Sequence, residues 1–115
     1  MPFVNITTAK KLSDGKKAEL YSRVGELMPV IPGKNLDNTL VCINDGASMF
    51  MKGKPNNAAF VSVQCYKKSP EDSKKEFSAK IYAVLKDILE FDSESCLYMN
   101  FTEFDAWSSD GNYNT

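Results

Sequence analysis

The chain has no histidine, one arginine, one tryptophan and three cysteines in 115 residues. Without histidine, the side chain that ordinarily carries protons near neutral pH is missing, so acid–base chemistry would need another group with a displaced pKa. The lone arginine, Arg23, falls in a helical segment among charged neighbours and reads as surface. Charge of one sign is lacking too. With 14 basic and 15 acidic residues the net charge is −1, which gives no electrostatic case for nucleic acid or an anionic membrane as partner. The paired lysines Lys10-Lys11, Lys16-Lys17, Lys67-Lys68 and Lys74-Lys75 are closely followed by Asp and Glu and read as solvated faces. No apolar run is long enough to span a bilayer. No charged-then-apolar leader opens the chain, so a cytoplasmic location is expected. Cys42, Cys65 and Cys96 are odd in number and widely spaced. They form neither a disulfide framework nor a Cys-x-x-Cys metal or redox signature, and read as small buried hydrophobes. Neither a metal nor a cofactor is expected.

What the chain does contain suits a single α+β domain over residues 1–115. Hydrophobic residues make up 43% and charged residues 25%, the balance of an ordinary globular core and surface. Two similar halves follow one another, about 2–45 and 58–102. The first predicts a strand (about 2–8), a helix (about 14–28) and a strand (about 38–45). The second predicts a strand (about 58–67), a helix (about 70–90) and a strand (about 95–102). Leu20, Val24, Leu27, Met28 and Ile31 recur at helical spacing, with Ser13 placed to cap and Pro29 to stop the helix. In the second helix Phe77, Ile81, Val84, Leu85, Ile88 and Leu89 form one apolar stripe, with Ser69 as expected cap and Pro70 at the first helical position. Strand–helix–strand order implies parallel pairing within each half through a right-handed crossover. Two such βαβ repeats make a four-stranded sheet with both helices on one face. The other face is expected to be apolar and uncovered, which calls for sheet-to-sheet packing in an oligomer. Residues 45–55 read as a loop with a short strand, and the segment from Asp105 as a polar tail.

Pro2 stands directly behind Met1 at the head of the β-branched run Phe3-Val4-Asn5-Ile6-Thr7-Thr8. A small second residue normally allows removal of the initiator methionine, which would leave a secondary amine at the start of a strand. An α-amino group ordinarily titrates at about 7.7–8.0. Partial burial and a nearby cation would lower that value and yield a base at neutral pH without histidine. A Met-Pro start alone says little. Elsewhere, Lys34 follows Pro32-Gly33 in a turn, and Tyr98 and Asn100 share one face of a predicted strand.

Taken in order, these features resemble the tautomerase superfamily, and within it the macrophage migration inhibitory factor branch. The resemblance rests on Pro2 after Met1 and on Pro32-Gly33-Lys34 leading into the second strand. It rests further on Met49-Phe50-Met51-Lys52-Gly53, similar to the family's Met-x-Phe-Gly-Gly hairpin, and on Cys96-Leu97-Tyr98-Met99-Asn100-Phe101, similar to its Val-Tyr-Ile-Asn-Tyr strand. Trp107 follows in a polar tail. The resemblance implies a homotrimer whose sheets enclose a central barrel, with a pocket at each subunit interface. It implies Pro2 as the catalytic base, Lys34 as the holder of an anionic substrate group, and the backbone N–H of Tyr66 as a donor. Tyr98 and Asn100 would come from a neighbouring subunit, and Trp107 would stand on the pocket wall. Family thiol chemistry is not expected, because Ala58-Ala59-Phe60-Val61 replaces its Cys-x-x-Cys. Relatives that hydrate or dehalogenate unsaturated acids use arginines near the proline, and none stands there here. The implied activity is keto–enol tautomerisation of phenylpyruvate-type α-keto acids, which needs one base, one anion anchor and one donor. The alternative is a cytokine-like or other protein-interaction module with a vestigial pocket, a protein receptor as its partner and leaderless secretion.

Overall fold

A computed structural model describes residues 1–115. Strand β1 (Pro2–Thr8) lies inside a four-stranded sheet of order β2-β1-β5-β6. It pairs in parallel with β2 (Leu40–Asn44) and antiparallel with β5 (Ala59–Tyr66). On the far side β5 pairs in parallel with β6 (Leu97–Phe104). The crossovers are helix α1 (Asp14–Leu27) and helix α2 (Glu71–Ile88), so the two βαβ repeats stand as the sequence predicts.

Side-chain alternation in the strands and the 3.6-residue period of the helices produce one core. Val4 and Ile6 of β1 join Val61 and Val63 of β5 on one face of the sheet. Leu20, Val24 and Met28 cover them from the first crossover, and Phe77, Ile81 and Leu85 from the second. The Phe77 ring meets the edge of Phe101 at a centroid separation of 5.9 Å. At the helix surfaces Arg23 reaches Asp87 at 2.6 Å, tying α1 to α2.

The helix boundaries follow local chemistry with one exception. Ser13 caps α1, its hydroxyl accepting from the Lys16 N–H at 3.1 Å. Pro29 lacks an N–H for a further α-helical turn, and the chain tightens into a 3₁₀ turn at Met28–Val30. Ser69, expected to cap α2, does not: its backbone N–H donates to Glu103 Oε2 instead, and no side chain caps that helix. Pro70, placed by sequence at the first helical position, is the cap residue itself.

Two further segments differ from expectation. Cys96 lies one residue before β6, with its N–H bonded to Asn56 Oδ1, rather than inside a strand. The stretch from Asp105 is no featureless tail: β7 (Trp107–Ser109) and β8 (Asn112–Asn114) form a hairpin. Its turn, Asp110-Gly111, has both φ angles positive, as a type I′ hairpin requires. The same turn chemistry at Lys52-Gly53 joins β3 (Phe50–Met51) to β4 (Lys54–Pro55).

The sheet face away from the helices is uncovered in one chain, but it is not uniformly apolar. Cys42, Asn5, Ser62 and Asn100 form a largely polar row across all four strands. The rows on either side carry Leu40 and Phe3, and Phe60 and Tyr98. Leu40 and Tyr98 remain largely exposed.

Candidate functional site

Pro2 opens β1 and is buried at the sheet's end, opposite Cys65 of β5. Beside it opens a cleft of about 600 Å³. Its walls are Met1, Pro2 and Phe3, the 3₁₀ turn and strand start at Asp37–Leu40, and the C-terminal hairpin from Trp107 to Asp110. Trp107 is therefore on the same cleft as Pro2, held there by pairing with Asn114 and by its tilted packing on Phe104.

Lys34 comes to this end of the sheet on a turn whose Gly33 has φ +79°, a conformation L side chains rarely adopt. The Lys34 N–H closes the turn on the Ile31 carbonyl at 3.1 Å. Its side chain is half-buried and stands beside the chain's N-terminal amine. That amine is the α-amino group of Met1, one residue before Pro2; burial, and then the Lys34 ammonium, hold it below the usual α-amino range. Burial pushes the Cys65 thiol up, so it stays protonated at neutral pH.

The other expected site residues divide. Tyr66 ends β5 one residue past the partner of Pro2, so its backbone lies at the same end of the sheet. Its ring has the Lys67 ammonium 5.0 Å from its centre. Tyr98 and Asn100 are elsewhere in the chain. They pair with Phe60 and Ser62, whereas the row of Pro2 and Cys65 meets β6 at Glu103. Along the strand that is roughly 10 Å for Asn100 and 17 Å for Tyr98. Both also project from the open face, opposite to the side on which Pro2 is buried. One chain thus puts Pro2 and Trp107 on one cleft, with Lys34 beside the first amine and the Tyr66 backbone at the same end of the sheet, and leaves Tyr98 and Asn100 on an exposed face.

Two features were invisible to sequence reasoning. Cys65, read as plain core, is buried directly beside Pro2 because of the β1–β5 register. Beyond it on β6, Glu103 is a largely buried carboxylate paired with Lys74 at 2.8 Å. A second cleft of about 520 Å³ lies past the other end of β1, between Lys10-Lys11 and the β3–β4 hairpin. There Lys10 is engaged by Glu90 at 2.6 Å. No three His, Cys, Asp or Glu side chains converge as metal ligands would, and no helix is long and apolar enough to cross a membrane.

Comparison with known proteins agrees with this geometry. The model of the macrophage migration inhibitory factor (MIF) family matches residues 1–114. No curated protein sequence matches the chain. Among solved structures, Leishmania major MIF2 superposes with a TM-score of 0.88 at 21% identity, covering 98% of this chain and 97% of that one. A macrophage migration inhibitory factor-like protein from Entamoeba histolytica follows at 0.83 and 18%, covering 97% of each chain. The R7 fused 4-OT, a wild-type asymmetric trimer, superposes at 0.74 and 14%, covering 95% of this chain and 93% of that one. At these identities the structural likeness establishes the fold.

Proposed function

The chain belongs to the macrophage migration inhibitory factor family, and from that membership we propose that it is a keto–enol tautomerase of phenylpyruvate-type α-keto acids, working as a homotrimer. The observation that carries this reading is the place where the chain starts: beside a cleft shared with Trp107, burial and Lys34 hold the Met1 amine below its usual pKa, and removal of Met1 leaves the Pro2 nitrogen, one residue on, as the new amine in that setting.

With Met1 removed, the Pro2 nitrogen is a secondary amine and can act as the base. It takes a proton from the carbon next to the ketone. The electrons of that C–H bond form the C=C bond, and the carbonyl electrons move to oxygen. Pro2 then returns the proton to the oxygen, giving the enol; the reverse path regenerates the ketone. A protonated amine cannot start the cycle, so the lowered pKa is useful at neutral pH. Lys34 binds the carboxylate through a charge-assisted hydrogen bond. The Tyr66 N–H and the amide of Asn100 from a neighbouring copy orient the substrate and donate to the developing enolate. Tyr98 of that copy and Trp107 enclose the aromatic ring. The trimeric assembly of the fused 4-OT supports such sharing, as do Tyr98 and Asn100 standing exposed on the open face.

The test is turnover of an enolised α-keto acid by two forms of the purified protein, one with Pro2 free and one retaining Met1. The expected result is activity in the first and background in the second, with identical circular dichroism. Equal turnover in both would remove Pro2 as base and leave the protein-interaction reading in its place.

A further inference from the structure

On the helix-facing side of the sheet one cross-strand row reads Pro2, Cys65, Glu103 on β1, β5 and β6. Glu103 is the feature that an ordinary core does not explain. Its side chain is only 18% exposed, yet it carries a charge. One carboxylate oxygen accepts from the Ser69 N–H, and the other meets Lys74 Nζ at 2.8 Å. Lys74 is itself 12% exposed and also meets Glu71 at 2.9 Å. The row spans two interstrand spacings, about 9–10 Å between the backbones of Pro2 and Glu103, with the buried Cys65 thiol between. At these exposures the pair is screened less than a fully exposed one.

We propose that Glu103 and Lys74 are positioning residues for the N-terminal amine: a charge-balanced pair behind Cys65 that tunes how strongly the amine holds its proton. The inference rests on the reading of Pro2 as the base. Lys34, from the turn after α1, and Cys65 act on the Met1 amine, where neither Glu103 nor Lys74 is felt; the Pro2 nitrogen, directly opposite Cys65 of β5, lies one residue nearer the row. Glu103 comes from β6, and Lys74 with Glu71 from α2, while Lys68 lies on the loop between β5 and α2. Asp37 and Asp110 line the cleft on the other side. The thiol between the two ends of the row senses both: Lys34 and the Met1 amine from one side, Glu103 and Lys74 from the other. Burial works against the Glu103 charge, yet Lys74 and the Ser69 N–H hold its carboxyl below the usual range, so it is ionised at neutral pH. A full carboxylate behind the amine would favour the protonated form. Lys74 offsets that effect and leaves the influence of Lys34 dominant.

The pair predicts responses of opposite sign. Glu103→Gln keeps the shape and an acceptor for the Ser69 N–H but removes the negative charge. The amine should then lose its proton at lower pH. Lys74→Met leaves the Glu103 carboxylate uncompensated, and the amine should hold its proton to higher pH. The measurement is the pH dependence of N-terminal alkylation by a small electrophile, read by mass spectrometry on Met1-free protein, beside the pH–rate profile. Near neutral pH the alkylation rate should rise roughly two- to fivefold in Glu103→Gln and fall by a similar factor in Lys74→Met. Unchanged amine titration in folded variants, or shifts of the same sign, would overturn the proposal. If Lys74→Met fails to fold, the sign of the Glu103→Gln shift decides alone. The amine readout does not depend on turnover. Opposed shifts in a protein without tautomerase activity would sustain this inference and sink the catalytic reading.

Discussion

After burial, Lys34 is the strongest influence on the Met1 amine, and with Pro2 as the new terminus beside it the removal of Lys34 has a two-part signature. Lys34→Ala should weaken binding of the acid substrate by about 1.5–3 kcal/mol, seen as a higher KM. Its cation lowers the amine pKa, so its loss raises that pKa and moves the rising limb of the pH–rate profile to higher pH. Steady-state kinetics across pH 5–9 check both parts; a KM effect with an unmoved limb would separate anion binding from base activation. Pro2→Ala in processed protein keeps an amine but changes its basicity and loses the rigid ring, so it should be slowed rather than inactive. At this scale the sequence was informative through ordered likeness: it singled out Pro2 and Trp107, which line one cleft, and Lys34, which stands beside the chain's first amine. Cys65 and Glu103 were not legible, because their relation to Pro2 depends on a cross-strand register that no local pattern specifies.

Among the elements, α1 gives the cleanest test. Ser13→Ala removes the acceptor for the Lys16 N–H and should cost about 1 kcal/mol, measured by denaturant unfolding, with no change in the site. Phe77→Ala in α2 is the severe counterpart. The ring is fully buried against Phe101, and truncation should cost about 3–5 kcal/mol, comparable with the whole stability of a small domain. Both helices were legible from periodicity, since Leu20, Val24, Phe77, Ile81 and Leu85 repeat at helical spacing and lie in the core. The α2 cap was misassigned because a serine before a proline looks like a cap from sequence. Glu103, 34 residues away, competes for its backbone instead. The β7–β8 hairpin was missed because its strands are polar; Asp110-Gly111 was the available signal.

For the whole molecule, the open sheet face and the separation of Tyr98 and Asn100 from Pro2 lead to the same expectation: light scattering at micromolar concentration should report a trimer. A stable monomer would remove the shared site. The open face was expected to be apolar, and the polar row of Asn5, Ser62 and Asn100 was not foreseen. Strand alternation fixes which side a residue faces but not what covers it. Acid sensitivity is also a property of the ensemble of ion pairs. Asp45, held by the Leu12 N–H and Lys17, and Glu71 and Glu90, held by Lys74 and Lys10, all titrate below their usual values, as does Asp92 through local backbone bonds. A carboxylate depressed in the folded state contributes stability above its unfolded pKa, about 4, and loses it as pH falls through the folded value. Denaturant unfolding followed by circular dichroism should therefore show a lower midpoint below about pH 4 than between pH 5 and 7, where it should be flat. The seating of β1 between β2 and β5 has a kinetic consequence as well. The first strand synthesised pairs Pro2 with Cys65, 63 residues later, so neither half can complete the sheet before most of the chain exists. Closing so long a loop costs entropy before any contact rewards it. Refolding should take milliseconds to seconds rather than the microseconds of a helical bundle of this size, and stopped-flow fluorescence of Trp107 should report it.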